Sequence, residues 1–174
     1  MIYTGIGSRK TPNNVLTQMG LYGHVLAKLG FTLRSGGANG ADSAFEDGCL
    51  RGSGEMEIYL PWKGFNNNPS PLYHIPPEAV EYASEVYGSS FEYLTQPVKL
   101  LMSRNIQQVL GKNLDTPTDF VVCWTPGGEL VGGTSQAIKC AQQLSIPVFN
   151  LGTPDGEHHL LELLEGYTKN VEDE

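Results

Sequence analysis

Twice in its first 42 residues the chain passes from a short apolar run into a glycine-rich turn and then into a segment with helical periodicity. The first turn is Gly5-Ile6-Gly7-Ser8-Arg9-Lys10-Thr11-Pro12, after the run at residues 1–4. The second is Ser35-Gly36-Gly37-Ala38-Asn39-Gly40-Ala41-Asp42, after residues 30–34. A strand that ends in such a turn and opens into a helix leaves few folds open. Glycines let the backbone approach a ligand closely, and the unpaired N–H groups of a helix start point at it, so the unit is an anion site. Two of them on one edge of a parallel sheet predict a phosphate-bearing ligand at the strands' carboxyl ends.

The rest of the chain repeats the alternation. Val15, Met19, Tyr22, Leu26 and Leu29 fall at helical spacing, with Thr11 as N-cap, Pro12 in the first turn and Gly30 as the stop. Residues 31–35 read as a strand, 41–50 as a helix and 56–60 as a third strand. Residues 61–71 are too irregular for an element; with Trp62 and Phe65 they read equally as a lid or base-stacking surface and as an ordinary excursion over the sheet edge. Helices are predicted at 77–87 and 97–110. A strand at 119–124 carries Phe120-Val121-Val122-Cys123-Trp124, the unbroken apolar run of a strand buried on both faces. A third glycine turn, Pro126-Gly127-Gly128 with Gly132-Gly133-Thr134, opens a helix through Ala137, Cys140, Ala141 and Leu144. A strand at 147–150 and a helix at 158–167 follow. The pattern predicts one α/β domain over residues 1–168, a doubly wound, Rossmann-like and mostly parallel sheet with flanking helices. Residues 169–174 read as an acidic, frayed tail.

Charge narrows the partners. A net charge of −8 argues against a surface built to neutralise many phosphates, though not against a local basic groove. Cys49, Cys123 and Cys140 lie far apart in apolar surroundings, with no CxxC or Cys/His spacing, and read as reduced core residues of a cytoplasmic protein. His158-His159 has no companion ligands at metal spacing. No metal, cofactor or membrane partner is expected.

Taken singly, each glycine turn is more often a tight connection than a ligand site. Gly5-x-Gly7-x-x-Lys10 lacks the third glycine of a dinucleotide fingerprint, and residues 36–42 lack the Gly-Lys-Ser/Thr ending of a P-loop. Together they are more specific, because all three follow strands. The expected ligand set is Gly5, Gly7, Ser8 and Arg9 from the first turn, and Ser35, Gly36, Gly37, Asn39 and Asp42 from the second. Gly127, Gly128, Gly132, Gly133 and Thr134 come from the third, with Trp62, Arg104 and Asn105 joining from elsewhere. Arg9 and Arg104 supply the planar fork that suits phosphate; for Arg104 a surface role or a helix salt bridge is an even alternative. Asp42 reads as a helix cap before a ribose ligand. Glu129, the one carboxylate of the third turn, reads as an exposed loop residue or as an acid–base group.

The first two turns resemble the opening motifs of the Rossmann-like domain in the DNA-processing protein A (DprA/Smf) family. Ser103-Arg104-Asn105 is similar to that family's later arginine–asparagine motif. Pro126-Gly127-Gly128 with Gly133-Thr134 resembles the PGGxGTxxE motif of the Lonely Guy phosphoribohydrolases, and Met102-x-Arg104 their arginine segment. Both families belong to the SLOG superfamily of nucleotide-sensing or nucleotide-processing domains. The resemblance spans roughly residues 1–150 and implies a nucleotide ligand and a homodimer. The departures matter. Ala137 stands where the hydrolase motif has glutamate, and cleavage of an N-glycosidic bond needs a carboxylate. The acidic charge disfavours single-stranded DNA, whose binding usually takes a basic groove with stacking aromatics.

The leading expectation is therefore a nucleotide or nucleotide-derivative binding module: a sensor, carrier or sequestering protein. The alternatives are a nucleotide N-glycosidase using Arg104 and Glu129, and single-stranded DNA binding.

Overall fold

Phe120, Val121, Val122 and Cys123 are all buried because their strand has a neighbour on each side and helices over both faces. Among residues 1–172, which the computed structural model describes, five parallel strands form one sheet in the order β3-β2-β1-β4-β5. They are β1 (Ile2–Gly5), β2 (Thr32–Ser35), β3 (Met56–Ile58), β4 (Phe120–Cys123) and β5 (Val148–Asn150). The helices are α1 (Asn13–Lys28), α2 (Ala41–Arg51), α3 (Pro77–Tyr87), α4 (Gln96–Leu110), α5 (Thr134–Gln143) and α6 (Pro154–Glu172). The fold is α/β and Rossmann-like.

Period-2 alternation divides the core. Phe120 and Val122 join Tyr3 and Leu33 under α1, α2 and α6, with Met19, Phe45 and Leu160. Val121 and Cys123 face the other way and meet Ile106, Val109, Ile138 and Cys140 of α4 and α5. Cys49, Cys123 and Cys140 are buried free thiols. No helix among the described residues is long and apolar enough to cross a membrane.

Strand order places the site. From β1 the chain winds outward through β2 to β3, then α3 and α4 carry it back so that β4 pairs with β1. Winding reverses between β1 and β4, and the crevice outside their carboxyl ends is where such sheets take ligands.

Several element ends differ from the sequence reading. The hydroxyl of Thr11 donates to the Ser8 carbonyl at 2.6 Å and ties the turn instead of capping; Pro12 occupies the cap and α1 starts at Asn13. β3 stops at Ile58 because Leu60 donates its amide to Leu72 in the following loop. That loop is not wholly irregular, with a 3₁₀ turn at Phe65–Asn67. α6 starts at Pro154, four residues early, since the Thr153 hydroxyl accepts the Gly156 amide at 3.1 Å and starts the helix there. The helix continues through Glu172, so residues 169–172 of the anticipated tail are helical; Asp173 and Glu174 lie outside the described residues.

Candidate functional site

A cavity of about 360 Å³ opens at the switch point. Its walls come from the first turn (Ile6, Gly7, Ser8, Arg9, Lys10), α4 and the segment at 131–134 that starts α5. Of the residues named from the sequence, Gly7, Ser8, Arg9, Asp42, Arg104, Asn105, Gly132, Gly133 and Thr134 line this cavity together. Arg9, Lys10, Val131, Gly132 and Gly133 are exposed and form the rim. Ile6, Asp42, Phe65, Arg104, Asn105 and Gln108 are buried and form the floor. Val98, Leu101 and Met102 make one apolar wall.

Arg104 is no surface residue. It is 5% exposed, and its guanidinium lies 5.6 Å from the centroid of the Phe65 ring. Nη1 donates to the carbonyls of Gly36 and Tyr59, while Nε donates to Asn105 Oδ1 at 3.1 Å. Asn105 in turn donates Nδ2 to the Gly133 carbonyl at 3.0 Å and links α4 to the α5 entrance. Nη2 bonds no described residue and is left for the contents of the cavity. Burial pushes Arg104 down to about 10; Asp42 opposes that shift and Arg9 adds to it, so the side chain remains a cation at neutral pH.

The two leading glycine turns behave differently. In the first, the Ser8 amide donates to Trp124 at the end of β4, and that of Lys10 to Ser8 Oγ. The amides of Gly7 and Arg9 bond no described residue, which leaves two alternate donors at the cavity. In the second turn a carboxyl group of the chain occupies two of the amides: Asp42 Oδ2 accepts from Ala38 at 3.1 Å and the group also accepts from Gly36. Burial pushes the Asp42 carboxyl up, against the pull of Arg104 and these amides. Asp42 is thus the second turn's own ligand as well as a floor residue.

The other anticipated residues stand outside the cavity lining. Gly5 ends β1, and Ser35 donates its hydroxyl to the Gly5 carbonyl at 2.6 Å. Gly36 lies behind the floor, where a Cβ would occupy the space of the Gln108 amide nitrogen and the Arg104 guanidinium. The Gly37 carbonyl accepts from Asn66, and Asn39 is exposed on the outer side of the turn. Trp62 is 39% exposed and meets Phe65 edge-on at 5.2 Å; Phe65 is the aromatic of that loop that reaches the cavity. Gly127 and Gly128 form a 3₁₀ turn with Pro126, the second packed beside Thr153. Glu129 is exposed and does not line the cavity. His158 pairs with Glu162 at 3.4 Å on the exposed face of α6.

Lys10, Met102 and Gln108 are lining residues outside the expected ligand set, and of the two loop aromatics considered for a lid it is Phe65 that lines the cavity. For Gln108 a signal existed: it follows Arg104 by four residues and shares its helix face.

Neither a protein-family model nor a curated protein matches the chain. Among solved structures, DNA processing protein A from Helicobacter pylori, described for its single-stranded DNA binding mode, superposes with a TM-score of 0.55. The match covers 99% of this chain and 81% of that one at 18% identity. The chain is similar to that protein in fold, along its whole length.

Proposed function

We propose that the cavity binds one nucleotide unit of single-stranded DNA, with the phosphate at the rim. The observation that carries this is a basic rim on an acidic protein. Arg9 and Lys10 stand at the mouth and Arg104 below, while Asp42, the one carboxylate in the lining, is already held by backbone amides. The free amides of Gly7 and Arg9 and the start of α5 at Thr134 add donors and a favourable dipole. The fold likeness to a protein described for single-stranded DNA binding supports the polymer over the free nucleotide that the sequence ranks first.

The test is fluorescence anisotropy with labelled dT oligomers across a salt series. The expected result is binding that weakens as salt rises, with a slope of one or two phosphate contacts, lost in the double variant Arg9→Ala/Lys10→Ala. Absence of salt-sensitive binding at low ionic strength overturns the polymer reading.

A free nucleotide is the second reading. It is favoured by the cavity's size, at the low end for small-molecule sites, and by the net charge of −8. Thermal shifts with mononucleotides but none with oligomers select it. The glycosidase reading is not adopted, because Glu129 lies outside the lining. Homodimer formation belongs to the same proposal; exposed Leu21 and Leu50 on α1 and α2 support it, and light scattering tests it.

A further inference from the structure

The aromatic part of the cavity floor belongs to a loop that is fastened elsewhere. Phe65 is 9% exposed, and the Arg104 guanidinium lies 5.6 Å from its ring centroid. Around it Gly64, Asn66 and Asn67 have φ of 75°, 51° and 58°, left-handed backbone that no longer helix or strand continues. Beyond its own turn bonds, the tip at 64–68 is tied down by two side-chain amides. Asn66 Nδ2 donates to the Gly37 carbonyl at 3.1 Å. Asn68 Nδ2 donates to both carboxyl oxygens of Glu46, at 3.1 and 3.3 Å, while its Oδ1 accepts from the Ser70 amide at 3.0 Å.

Glu46 follows Asp42 by four residues on α2 and is half-buried. Unlike Asp42, neither Glu46 nor Asn68 lines the cavity. The Glu46 carboxylate can act on the site in two ways, as a charge or through the loop that carries Phe65. The two differ in sign. A negative charge one helical turn from Asp42 repels an anionic ligand. A fastened Phe65 ring instead keeps water from one face of Arg104, and a cation in drier surroundings attracts an anion more strongly.

We propose that Glu46 and Asn68 are positioning residues whose contact fastens Phe65 against Arg104 and slows the release of an anionic ligand from the cavity. This rests on the nucleotide reading of the same cavity. When the contact breaks, the loop tip keeps only the Asn66 tie to the second turn, and water reaches Arg104 from the Phe65 side. The mouth, with Arg9 and Lys10, is built on the first turn and is untouched. Capture of the ligand therefore stays the same, and its escape becomes faster.

The test follows association and dissociation of a labelled dT 12-mer on the full chain by stopped flow. Glu46→Ala is expected to speed dissociation about tenfold, the scale of one charge-assisted hydrogen bond, with association within about twofold. Glu46→Gln loses the same charge but keeps Oε1 to accept from Asn68, so its dissociation is expected within about threefold of the unaltered protein. Asn68→Ala is expected to match Glu46→Ala, and the double variant to add little to either. Hydrogen exchange over residues 61–70 without ligand is expected to quicken in Glu46→Ala and Asn68→Ala but not in Glu46→Gln. In the unaltered protein, where folding is not in question, exchange over the same residues is expected to slow when the strand binds.

Tighter binding in both Glu46→Ala and Glu46→Gln would mean that the carboxylate acts as a charge, and overturns the positioning role. Exchange over 61–70 that neither Glu46→Ala nor bound strand alters overturns it too. Both results leave the phosphate site standing. Failure of strands and mononucleotides alike to bind overturns both proposals.

Discussion

After β1 the chain runs through Gly5 to Pro12, and after β2 through Ser35 to Asp42; each is a glycine turn that leads a parallel strand towards a helix. One faces outward with Arg9 and Lys10 exposed and the amides of Gly7 and Arg9 unoccupied. The other carries its own carboxylate, with the Ala38 and Gly36 amides on Asp42 and the Gly36 carbonyl on Arg104. The same local geometry thus serves as a mouth in one place and as a floor in the other. The difference is whether the chain supplies the anion itself: an aspartate in the first turn of the following helix does so, and a proline with two asparagines does not.

The sharpest way to break this contrast is to empty the second turn. Asp42→Ala removes the carboxyl group that holds the Ala38 amide and opposes the burial shift of Arg104, and is expected to lower the urea midpoint. Sulfate is then expected to raise the Tm of this variant more than that of the unaltered protein, because the vacated amides and Arg104 now bind an anion. Equal responses to sulfate would mean that Asp42 does not fill that turn. Crowding the floor comes next. Gly36→Ala is expected to cost about 2 kcal/mol in urea unfolding, since the new methyl displaces the Arg104 guanidinium and the Gln108 amide, and to weaken ligand binding as well.

The open turn is expected to respond oppositely. Arg9→Ala is expected to leave the Tm nearly unchanged and to weaken the nucleotide ligand about tenfold, the scale of one charge-assisted contact. A change on the core side of β1 is a control for both turns. The Tyr3 hydroxyl is buried without a partner among the described residues, so Tyr3→Phe is expected to gain about 1 kcal/mol in urea melts and leave binding alone. The smallest effect concerns pH. Burial pushes Cys123 up to about 12 and Cys140 up to about 11, while unfolded thiols titrate near about 8.5. The folded state therefore holds these protons longer than the unfolded chain. Their contribution to stability is complete below the unfolded thiol range and fades as pH rises through it towards the folded values. Urea midpoints measured from pH 7 to 10 are expected to be level at first and then fall, and thiol reagents to label these cysteines only on unfolding.

Much of the frame is readable from residue order. The apolar run at 120–124, the helical stripe from Val15 to Leu29 and the glycine turns between them specify alternating strands and helices, because period and punctuation are local properties. Part of the cavity lining follows for the same reason: Gly7, Ser8 and Arg9 come directly after β1, and a parallel sheet brings all strand ends to one edge. What residue order could not supply was the direction in which each group faces. That Arg104 is a buried floor residue, that Phe65 and not Trp62 enters the cavity, and that Glu129 stays outside all depend on elements packing around the switch point between β1 and β4. These contacts join residues up to 68 positions apart, as between Gly36 and Arg104, and only the packed sheet and helices fix them.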